Sequence, residues 1–334
     1  MEKTLNIKSK LLNQITANIN KTQFLLKCIV FVIIYNSPFI LKKYKRRKSN
    51  IILKKNNIQV CLCTLGKKEN RYIREYIQHY EKYGVDKIFL YDNNDINDEK
   101  FEEVIKDYID KGFVEVLNWR GKIKAIYNIM NDCYINNNNN YDWLIFYEVD
   151  EFIHLYNNQS IKTFLGQKIF NKCQVIYLNF VQHTDNNLLY YENKPLAIRF
   201  PEVEPKARKN TGIQSIKSIV RGHIQKFKIN HIHYLNKHLK YCNGFGNKEK
   251  IVNYRQTKPD YKYNYIDHYY SKSTEEFINK VNRGDAYSLT LKYKMGKVKK
   301  YFLQSKLTLE KIKLIENYTG LNLDNYKKLI HKKK

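Results

Sequence analysis

The stretch from Trp143 to Phe152 reads WLIFYEVDEF and holds three carboxylates within four positions. Its first five residues are apolar or aromatic and predict a buried strand, which Glu148, Asp150 and Glu151 follow. If the chain stays extended, Glu148 and Asp150 point to one side and Glu151 to the other. Two carboxylates on one side repel each other unless a cation lies between them, and hard oxygen ligands suit Mg²⁺ or Mn²⁺. The sequence therefore predicts Glu148 and Asp150 as metal ligands, and the alternative is a strand that ends in a polar turn.

The composition is that of a folded, strongly basic protein. The chain has 334 residues, which is enough for one large domain or two small ones. Of these residues 43% are hydrophobic, which is enough to form a full core and argues against global disorder. The net charge is +28, but Lys, Asn, Ile and Tyr are in excess from end to end, which is typical of a genome-wide base bias. A basic surface still favours anionic partners such as nucleotide phosphates, acidic lipid headgroups or nucleic acid.

The six cysteines form no CxxC pair. Cys61 and Cys63 alternate with apolar residues in a predicted strand, so we interpret them as core residues. This pattern predicts reduced cysteines in a cytosol-like environment and no structural zinc.

The amino-terminal segment, residues 1–57, contains a hydrophobic stretch at 24–41 and a basic cluster at 42–48. The uninterrupted apolar part covers only residues 28–35, whereas a span needs roughly 20 residues. A tilted single-pass anchor, an interfacial helix on anionic lipid and an ordinary packed helix all stay open. More Lys and Arg residues follow the stretch than precede it, so a spanning segment would leave the rest of the chain, from residue 58 onward, in the cytosol. We expect membrane association without a removed signal peptide.

From residue 58 onward, strands alternate with helices. Predicted strands cover residues 58–65, 87–91, 113–117 and 143–147, and the helices between them end at Gly84, at Gly112 and near Tyr134. This order predicts an α/β fold with a mixed, mainly parallel sheet and helices on both faces. Ligands bind at the carboxyl ends of such strands, where Asp92 and the Glu148/Asp150 pair fall. Neither GxGxxG nor GxxxxGK[ST] occurs, so a dinucleotide oxidoreductase and a P-loop enzyme are not supported.

An ordered set of motifs resembles a known family. YGVDKI at 83–88, YDNN at 91–94, the acidic strand end, DHY at 267–269 and Arg283-Gly284 are similar to glycosyltransferase family 92 and family 2-like enzymes of GT-A (Rossmann-like) fold. The resemblance covers about residues 59–286 and implies a nucleotide-sugar-dependent transferase that uses a divalent cation, Mn²⁺ or Mg²⁺, through a D-x-D signature. This chain departs from the pattern because Glu148 stands where the first Asp is usual. We expect a GT-A domain over residues 58–290 and a basic helical tail over 291–334.

The resemblance also implies donor-binding residues. Thr64 and Leu65 end the first strand, where the family's backbone meets the nucleotide base. Asp92 matches an acidic position that would contact the base or ribose, and its alternative role is a turn-forming Asx. Arg71 and Lys124 are candidates for the donor phosphates, and each is alternatively a solvated surface residue.

Later residues of the chain are expected to complete the site. GT-A enzymes often use a late histidine as a metal ligand, and His268 is the candidate here, the alternative being a structural histidine. A capping box at Ser273–Glu276 predicts the start of a helix just after it. Arg199-Phe200 and Lys217–Arg221 resemble family elements that lie near the active site.

Asp185 is the predicted catalytic base. It follows the strand predicted at 175–180, in a region where the family places acceptor-side residues. Glu192, Glu202 and Glu204 are competitors, and a turn-forming role for Asp185 stays open.

The resemblance implies transfer of a hexose, with UDP as the preferred carrier, to a glycan or other hydroxyl acceptor with inversion, and the sequence supplies candidates for the base and the cation ligands that this reaction needs. The alternative is a degenerate GT-A scaffold that binds nucleic acid through its charge and tyrosines. The lysines are diffuse, no RNP, KH or zinc-finger motif is present, and the carboxylates would repel phosphates without a metal. We therefore expect a nucleotide-sugar donor and no nucleic-acid partner.

Overall fold

The computed structural model describes residues 58–331, except 124, 205–213, 225–227, 232, 234, 237, 249–250, 253–254, 257–258 and 285–289. The hydrophobic stretch 24–41 and Lys124 lie outside the described residues. Among the helices that are described, none combines the length and apolarity needed to cross a bilayer.

Strands and helices alternate along the first half of the chain, as the sequence predicts. The strands are β1 (Val60–Gly66), β2 (Lys87–Asp92), β3 (Val114–Asn118), β4 (Trp143–Phe146), β5 (Glu151–His154), β6 (Val175–Gln182), β7 (Gln214–Arg221), β8 (Tyr241–Asn243), β9 (Ile251–Val252), β10 (Arg255–Gln256) and β11 (Tyr265–His268). The helices are α1 (Asn70–Lys82), α2 (Glu102–Asp110), α3 (Ile126–Asn137), α4 (Ile161–Leu165), α5 (Leu196–Arg199), α6 (Thr274–Arg283), α7 (Leu291–Gln304), α8 (Leu309–Thr319) and α9 (Asp324–His331).

The described strands form one mixed sheet in the order β3-β2-β1-β4-β7-β6-β11-β5, with β8 beside β6 and the β10–β9 pair beside β7. Strands β3, β2, β1 and β4 are parallel, β7 is antiparallel to both β4 and β6, and β11 is parallel to β6. The carboxyl ends of β1, β2, β4, β6 and β11 therefore share one edge. Strand β5 is antiparallel to β11 and begins at this edge. The predicted fold class is confirmed.

Helices cover both faces of the sheet because side chains of β1 alternate between two cores. Val60 and Leu62 join one apolar cluster with α1 and α2, whereas Cys61 and Cys63 join a second cluster with α3. Helices α1 and α2 end just before Gly84 and Gly112, whose φ angles of +81° and +72° favour glycine.

The carboxyl-terminal helices share a third apolar cluster with α6. Phe277 of α6 stacks on Tyr301 of α7 with ring centroids 4.2 Å apart, and Ile312 of α8 and Leu323 belong to the same cluster. Helix α6 begins with the predicted capping box, in which Ser273 and Glu276 each accept a hydrogen bond from the other's backbone N–H. The capping-box prediction is confirmed.

The prediction that the cysteines are reduced is wrong for four of them. Disulfides join Cys63 of β1 to Cys133 of α3, and Cys173 to Cys242 of β8, while Cys61 is free and buried. The partners lie 70 and 69 residues apart, so no local spacing motif marks them. Two disulfides are typical of an oxidising compartment.

Candidate functional site

The acidic stretch does not continue β4 as an extended strand. Strand β4 ends at Phe146, and a turn follows in which the backbone N–H of Glu151 donates to the carbonyl of Glu148 at 2.9 Å. Glu151 then starts β5 and lies opposite His268 of β11. The prediction that Glu151 faces away from Asp150 is therefore wrong, because the alternation of side chains holds only for an extended backbone.

Asp150, Glu151 and His268 form a buried group that could hold a metal ion. One ligand atom from each lies within 4.8 Å of the others. The Nε2 atom of His268 is 3.6 Å from Oδ1 of Asp150, too long for a hydrogen bond, and this Oδ1 has no hydrogen-bond partner. A buried carboxylate oxygen without a partner is costly, and a cation between it and the imidazole would satisfy both. The residues present therefore fit a divalent cation.

Lys217 of β7 pairs with the other two acidic positions. Its Nζ donates to Oε1 of Glu148 at 2.7 Å and lies 3.2 Å from Oε1 of Glu151. Lys217 and Glu151 are buried, whereas the Glu148 side chain keeps 41% of its surface exposed. In the structure Glu151, rather than the predicted Glu148, joins Asp150 and His268.

The protonation of the group follows from burial and from these neighbours. Burial raises the pKa of Glu151 to about 8. The positive charge of Lys217 opposes this rise, and the negative charges of Glu148 and Asp150 add to it. Although burial favours protonation of Asp150, Lys280 and His268 hold its pKa well below the usual value. Burial lowers the pKa of His268 to about 4 against the pull of Asp150, so the imidazole is neutral at pH 7. Neutral imidazole is the form that binds metals.

Two tyrosines of α1 hold the turn that carries the carboxylates, residues 147–151, through hydrogen bonds to its backbone. Tyr76 donates its hydroxyl hydrogen to the carbonyl of Tyr147 at 3.0 Å, and Tyr80 donates to the carbonyl of Glu151 at 2.8 Å. Both tyrosines are fully buried, so each hydroxyl needs such an acceptor. Helix α1 thereby holds the turn at the sheet edge.

Some of the predicted donor residues lie together. Thr64, Leu65 and Glu148 line a cavity of about 20 Å³ at the ends of β1 and β4, together with Lys217. Asp92 lies at the end of β2, where Oδ2 pairs with Arg120 at 2.5 Å and Oδ1 accepts the backbone N–H of Asn94 at 2.9 Å. The Asx-turn role of Asp92 is present in the structure.

Arg71 lies apart from this small cavity, on α1. Its guanidinium is 3.4 Å from Glu275 and 4.6 Å from the ring centre of Tyr191, and the side chain is about half exposed. It lines a larger cavity of about 330 Å³ between the loop after β1 and helix α6. The lining also includes Lys68, Lys272, Lys280 and Arg283, so this cavity is rich in positive charge.

Arg283 ties the end of α6 to the loop after β1. It donates to the backbone carbonyls of Lys67 and Lys68 and pairs with Glu69 at 2.5 Å. Gly284 follows at φ +74° and ψ −168°, a region that is essentially restricted to glycine. The Arg283-Gly284 pair of the sequence motif thus closes one wall of the larger cavity.

The contacts of Asp185 argue against its predicted role as the base. Its Oδ2 accepts from Lys311 of α8 at 2.5 Å and from the hydroxyl of Tyr301 at 2.7 Å, and Oδ1 accepts the N–H of Asn187 at 3.1 Å. Asp185 and Lys311 are both about 1% exposed. These contacts indicate a structural role for Asp185, which the sequence pattern does not reveal because Tyr301 and Lys311 lie more than 110 residues away.

The sequence matches a family model over most of its described length. A model of glycosyltransferase family 92 matches residues 56–295. The chain belongs to glycosyltransferase family 92. A family 92 protein of Ricinus communis is 31% identical over 100 residues, which cover 29% of this chain and 17% of that protein. One of Oryza sativa subsp. japonica is 28% identical over 127 residues, covering 37% of this chain and 19% of that protein.

The chain therefore spans less than a fifth of the length of these two family 92 relatives. Among solved structures, residues 1–349 of Staphylococcus aureus TarS in complex with UDP-GlcNAc are 10% identical, with a TM-score of 0.38 over 79% of this chain and 80% of that one. The same fragment with UDP has a TM-score of 0.32 over 49% and 47% at 11% identity. The resemblance to family 92 that the motifs indicated is confirmed by the family model.

Several residues of this family 92 site carry no strong sequence signal. The alternation of an extended strand predicts the wrong face for Glu151, and Lys280 is one of many lysines until the fold brings its Nζ to 2.7 Å from Oδ2 of Asp150. The KxIVR segment singles out Lys217, but nothing in the sequence indicates that Lys217 pairs with Glu148 and Glu151.

Proposed function

We propose that this protein is a metal-dependent glycosyltransferase that moves a hexose from a nucleotide sugar, UDP-linked by preference, to a hydroxyl of a glycan acceptor with inversion. The observation that carries the proposal is the buried group of Asp150, Glu151 and His268 at the carboxyl edge of a GT-A sheet. Membership of family 92 supports the class of reaction.

Asp150, Glu151 and His268 would hold Mn²⁺ or Mg²⁺, since two carboxylates and a neutral imidazole suit either ion. When bound, the cation would neutralise the charge that develops on the departing nucleoside diphosphate. Glu151, whose pKa is about 8 in this structure, would be ionised more readily beside a cation.

Other residues have supporting roles in this proposal. Thr64 and Leu65 would contact the nucleotide base at the end of β1, and Asp92, held by Arg120, would contact the base or ribose. Lys217 keeps Glu148 and Glu151 at a fixed separation and offsets their mutual repulsion. The carboxylate group favours a metal-bound donor over nucleic acid, whose phosphates it would repel.

Hydrolysis of a panel of nucleotide sugars in the presence of Mn²⁺ tests the proposal. We expect hydrolysis of one UDP-hexose, its loss after chelation and its return with Mn²⁺. Asp150→Asn should abolish it, whereas Asp95→Asn, a change at an exposed position, should leave it intact. Full activity of the chelated protein would disprove metal dependence, and inactivity towards every donor would disprove the reaction class.

A further inference from the structure

Lysine side chains from two helices surround one aromatic ring beside the metal-binding group. The Nζ of Lys300 lies 3.5 Å from the ring centre of Tyr270, that of Lys280 lies 4.1 Å away and that of Lys297 lies 5.2 Å away. Lys280 belongs to α6, and the other two belong to α7. The ring face attracts each ammonium group, while the like charges of the three lysines repel one another.

Lys280 connects this lysine cluster to the candidate metal site. Its Nζ donates to Oδ2 of Asp150 at 2.7 Å and to the carbonyl of Tyr270 at 3.3 Å. Lys280 and Tyr270 also line the 330 Å³ cavity. A ligand bound to a cation at Asp150 would therefore lie within reach of the cluster.

The ammonium group of Lys300 contacts the ring of Tyr270 and forms no ion pair with a carboxylate among the described residues. Although the residue is exposed on α7, partial desolvation of its ammonium group by the surrounding protein lowers its pKa to about 8, and repulsion from Lys280 and Lys297 adds to this effect. An anion bound beside Tyr270 would therefore meet the ammonium groups of both Lys300 and Lys280, and it would stabilise their charged forms.

The packing of α7 sets the direction of Lys300. Val298 and Tyr301 are fully buried against α6, and Tyr301 is fixed further by its hydrogen bond to Asp185. Lys297 and Lys300 each precede one of these anchors, so the rotation of α7 that buries Val298 and Tyr301 places both lysines beside Tyr270. The family match ends at residue 295, before either lysine.

We propose that Lys280 and Lys300, arranged around Tyr270, bind the diphosphate of the nucleotide donor, so that helix α7 supplies a donor-binding residue from beyond the region that the family model matches. The proposal rests on the proposed function. The chemistry recognised is a phosphate group, which a phosphorylated acceptor could also present. The donor is favoured because Lys280 bonds directly to Asp150, where the cation that accompanies a nucleoside diphosphate would lie.

Binding of UDP, uridine and pyrophosphate to the full chain with Mn²⁺, measured by calorimetry, tests this site. Lys300→Ala should weaken UDP and pyrophosphate binding about tenfold, the size of a lost hydrogen bond to a charged group, and leave uridine unchanged. Lys300→Arg should bind UDP nearly as the wild type does. Lys299→Ala removes a neighbouring exposed lysine and should have no effect, and the Lys300 defect should shrink as salt screens the charge.

Equal UDP affinity in Lys300→Ala and wild type would overturn the proposal. If only the acceptor's KM rises in Lys300→Ala, the cluster recognises a phosphate on the acceptor and the donor assignment is wrong. An equal loss of uridine and UDP binding would indicate a structural role and would also overturn it. If the wild type binds pyrophosphate through Lys300 but no nucleoside diphosphate from a panel, the lysine site stands as an anion site and the proposed function fails.

Discussion

His268 and Glu151 lie opposite each other in the antiparallel ladder between β11 and β5. This pairing brings a residue from late in the chain against the acidic turn, and Asp150 is further fixed because its carbonyl accepts the N–H of Tyr269 at 2.9 Å. The candidate metal ligands are therefore held by backbone hydrogen bonds of the sheet, as well as by their side-chain partners.

Mn²⁺ binding should depend on Asp150 and His268. We expect Asp150→Asn and His268→Ala to lose specific Mn²⁺ binding, because the first removes the negative charge and the second removes the imidazole nitrogen of a pair of atoms that lie 3.6 Å apart. Electron paramagnetic resonance of Mn²⁺ titrated into the full chain measures this directly. His154→Ala, a partly exposed histidine on β5, is the matched control for His268. Unchanged Mn²⁺ affinity in both site variants would place the metal elsewhere.

The roles of Glu148 and Glu151 as metal ligands can be distinguished by shortening each side chain in turn. Glu148→Asp restores the residue usual in the D-x-D pattern and, being half exposed, should retain activity and Mn²⁺ affinity. Glu151→Asp should lower Mn²⁺ affinity, because the shortened carboxylate is drawn back from Asp150 and His268 in a fully buried position. The same titration decides between the two carboxylates. A loss confined to Glu148→Asp would return Glu148 to the ligand set.

The sequence was sufficient to predict the parts of the fold that local pattern determines. The strands and helices up to β4, the glycines that end α1 and α2, and the capping box at Ser273–Glu276 all follow from periodicity and local hydrogen bonding. Asp150 and His268 were identified because strand ends collect ligands and because the chain resembles a family. These predictions depend on neighbours within a few residues or on an ordered set of motifs.

What the sequence does not reveal are contacts between distant residues and local departures from regular structure. The turn between β4 and β5 reverses the expected face of Glu151, because the backbone N–H of Glu151 donates to the carbonyl of Glu148 and the chain is not extended there. Lys311 reaches Asp185 across 126 residues, and the cysteine pairs are about 70 residues apart. Such partners are set by the packing of whole elements, which no spacing rule reports.

Four cysteines should be protected from alkylation in the folded protein. Mass mapping under non-reducing conditions should find the peptides of Cys63 and Cys133 joined, and those of Cys173 and Cys242 joined, with Cys61 free. Reduction should lower stability, because each link closes a loop of about 70 residues, worth about 4 kcal/mol in the chain-entropy model. Cys61→Ser is the control that leaves both links intact. Complete alkylation of all four cysteines without reductant would restore the prediction of a reduced protein.

The buried pair of Arg199 and Glu276 should make stability fall in acid. Their side chains are about 1% exposed and 2.7 Å apart. Although burial raises the pKa of Glu276, hydrogen bonds from Arg199 and Ser273 hold it below the usual value of 4.5. The contribution of Glu276 is therefore fully present above pH 4.5 and is lost as pH falls through its lower folded value.

Glu276→Gln should cost about 3–5 kcal/mol at pH 7, because it leaves the Arg199 charge buried without its partner. Urea denaturation at pH 7 and at pH 3.5 measures both effects, and the gap between Glu276→Gln and wild type should narrow at the lower pH. The exposed Glu310→Gln variant removes a carboxylate from the start of another helix and should change stability little. A constant gap across this pH range would remove Glu276 as the source of the dependence.

Asp185 should be required for stability and not for the proton transfer. Asp185→Asn leaves the ammonium of Lys311 buried without a counter-charge, so we expect a loss of about 3–5 kcal/mol in the free energy of unfolding. The double variant Asp185→Asn/Lys311→Met removes both charges from the contact between α8 and the loop that follows β6. It should recover most of that loss. Single-turnover transfer by the folded fraction of the double variant should proceed near the wild-type rate. A catalytic base typically contributes about 10²- to 10⁴-fold, so a drop of that size in the stable double variant, with donor binding intact, would return Asp185 to the reaction.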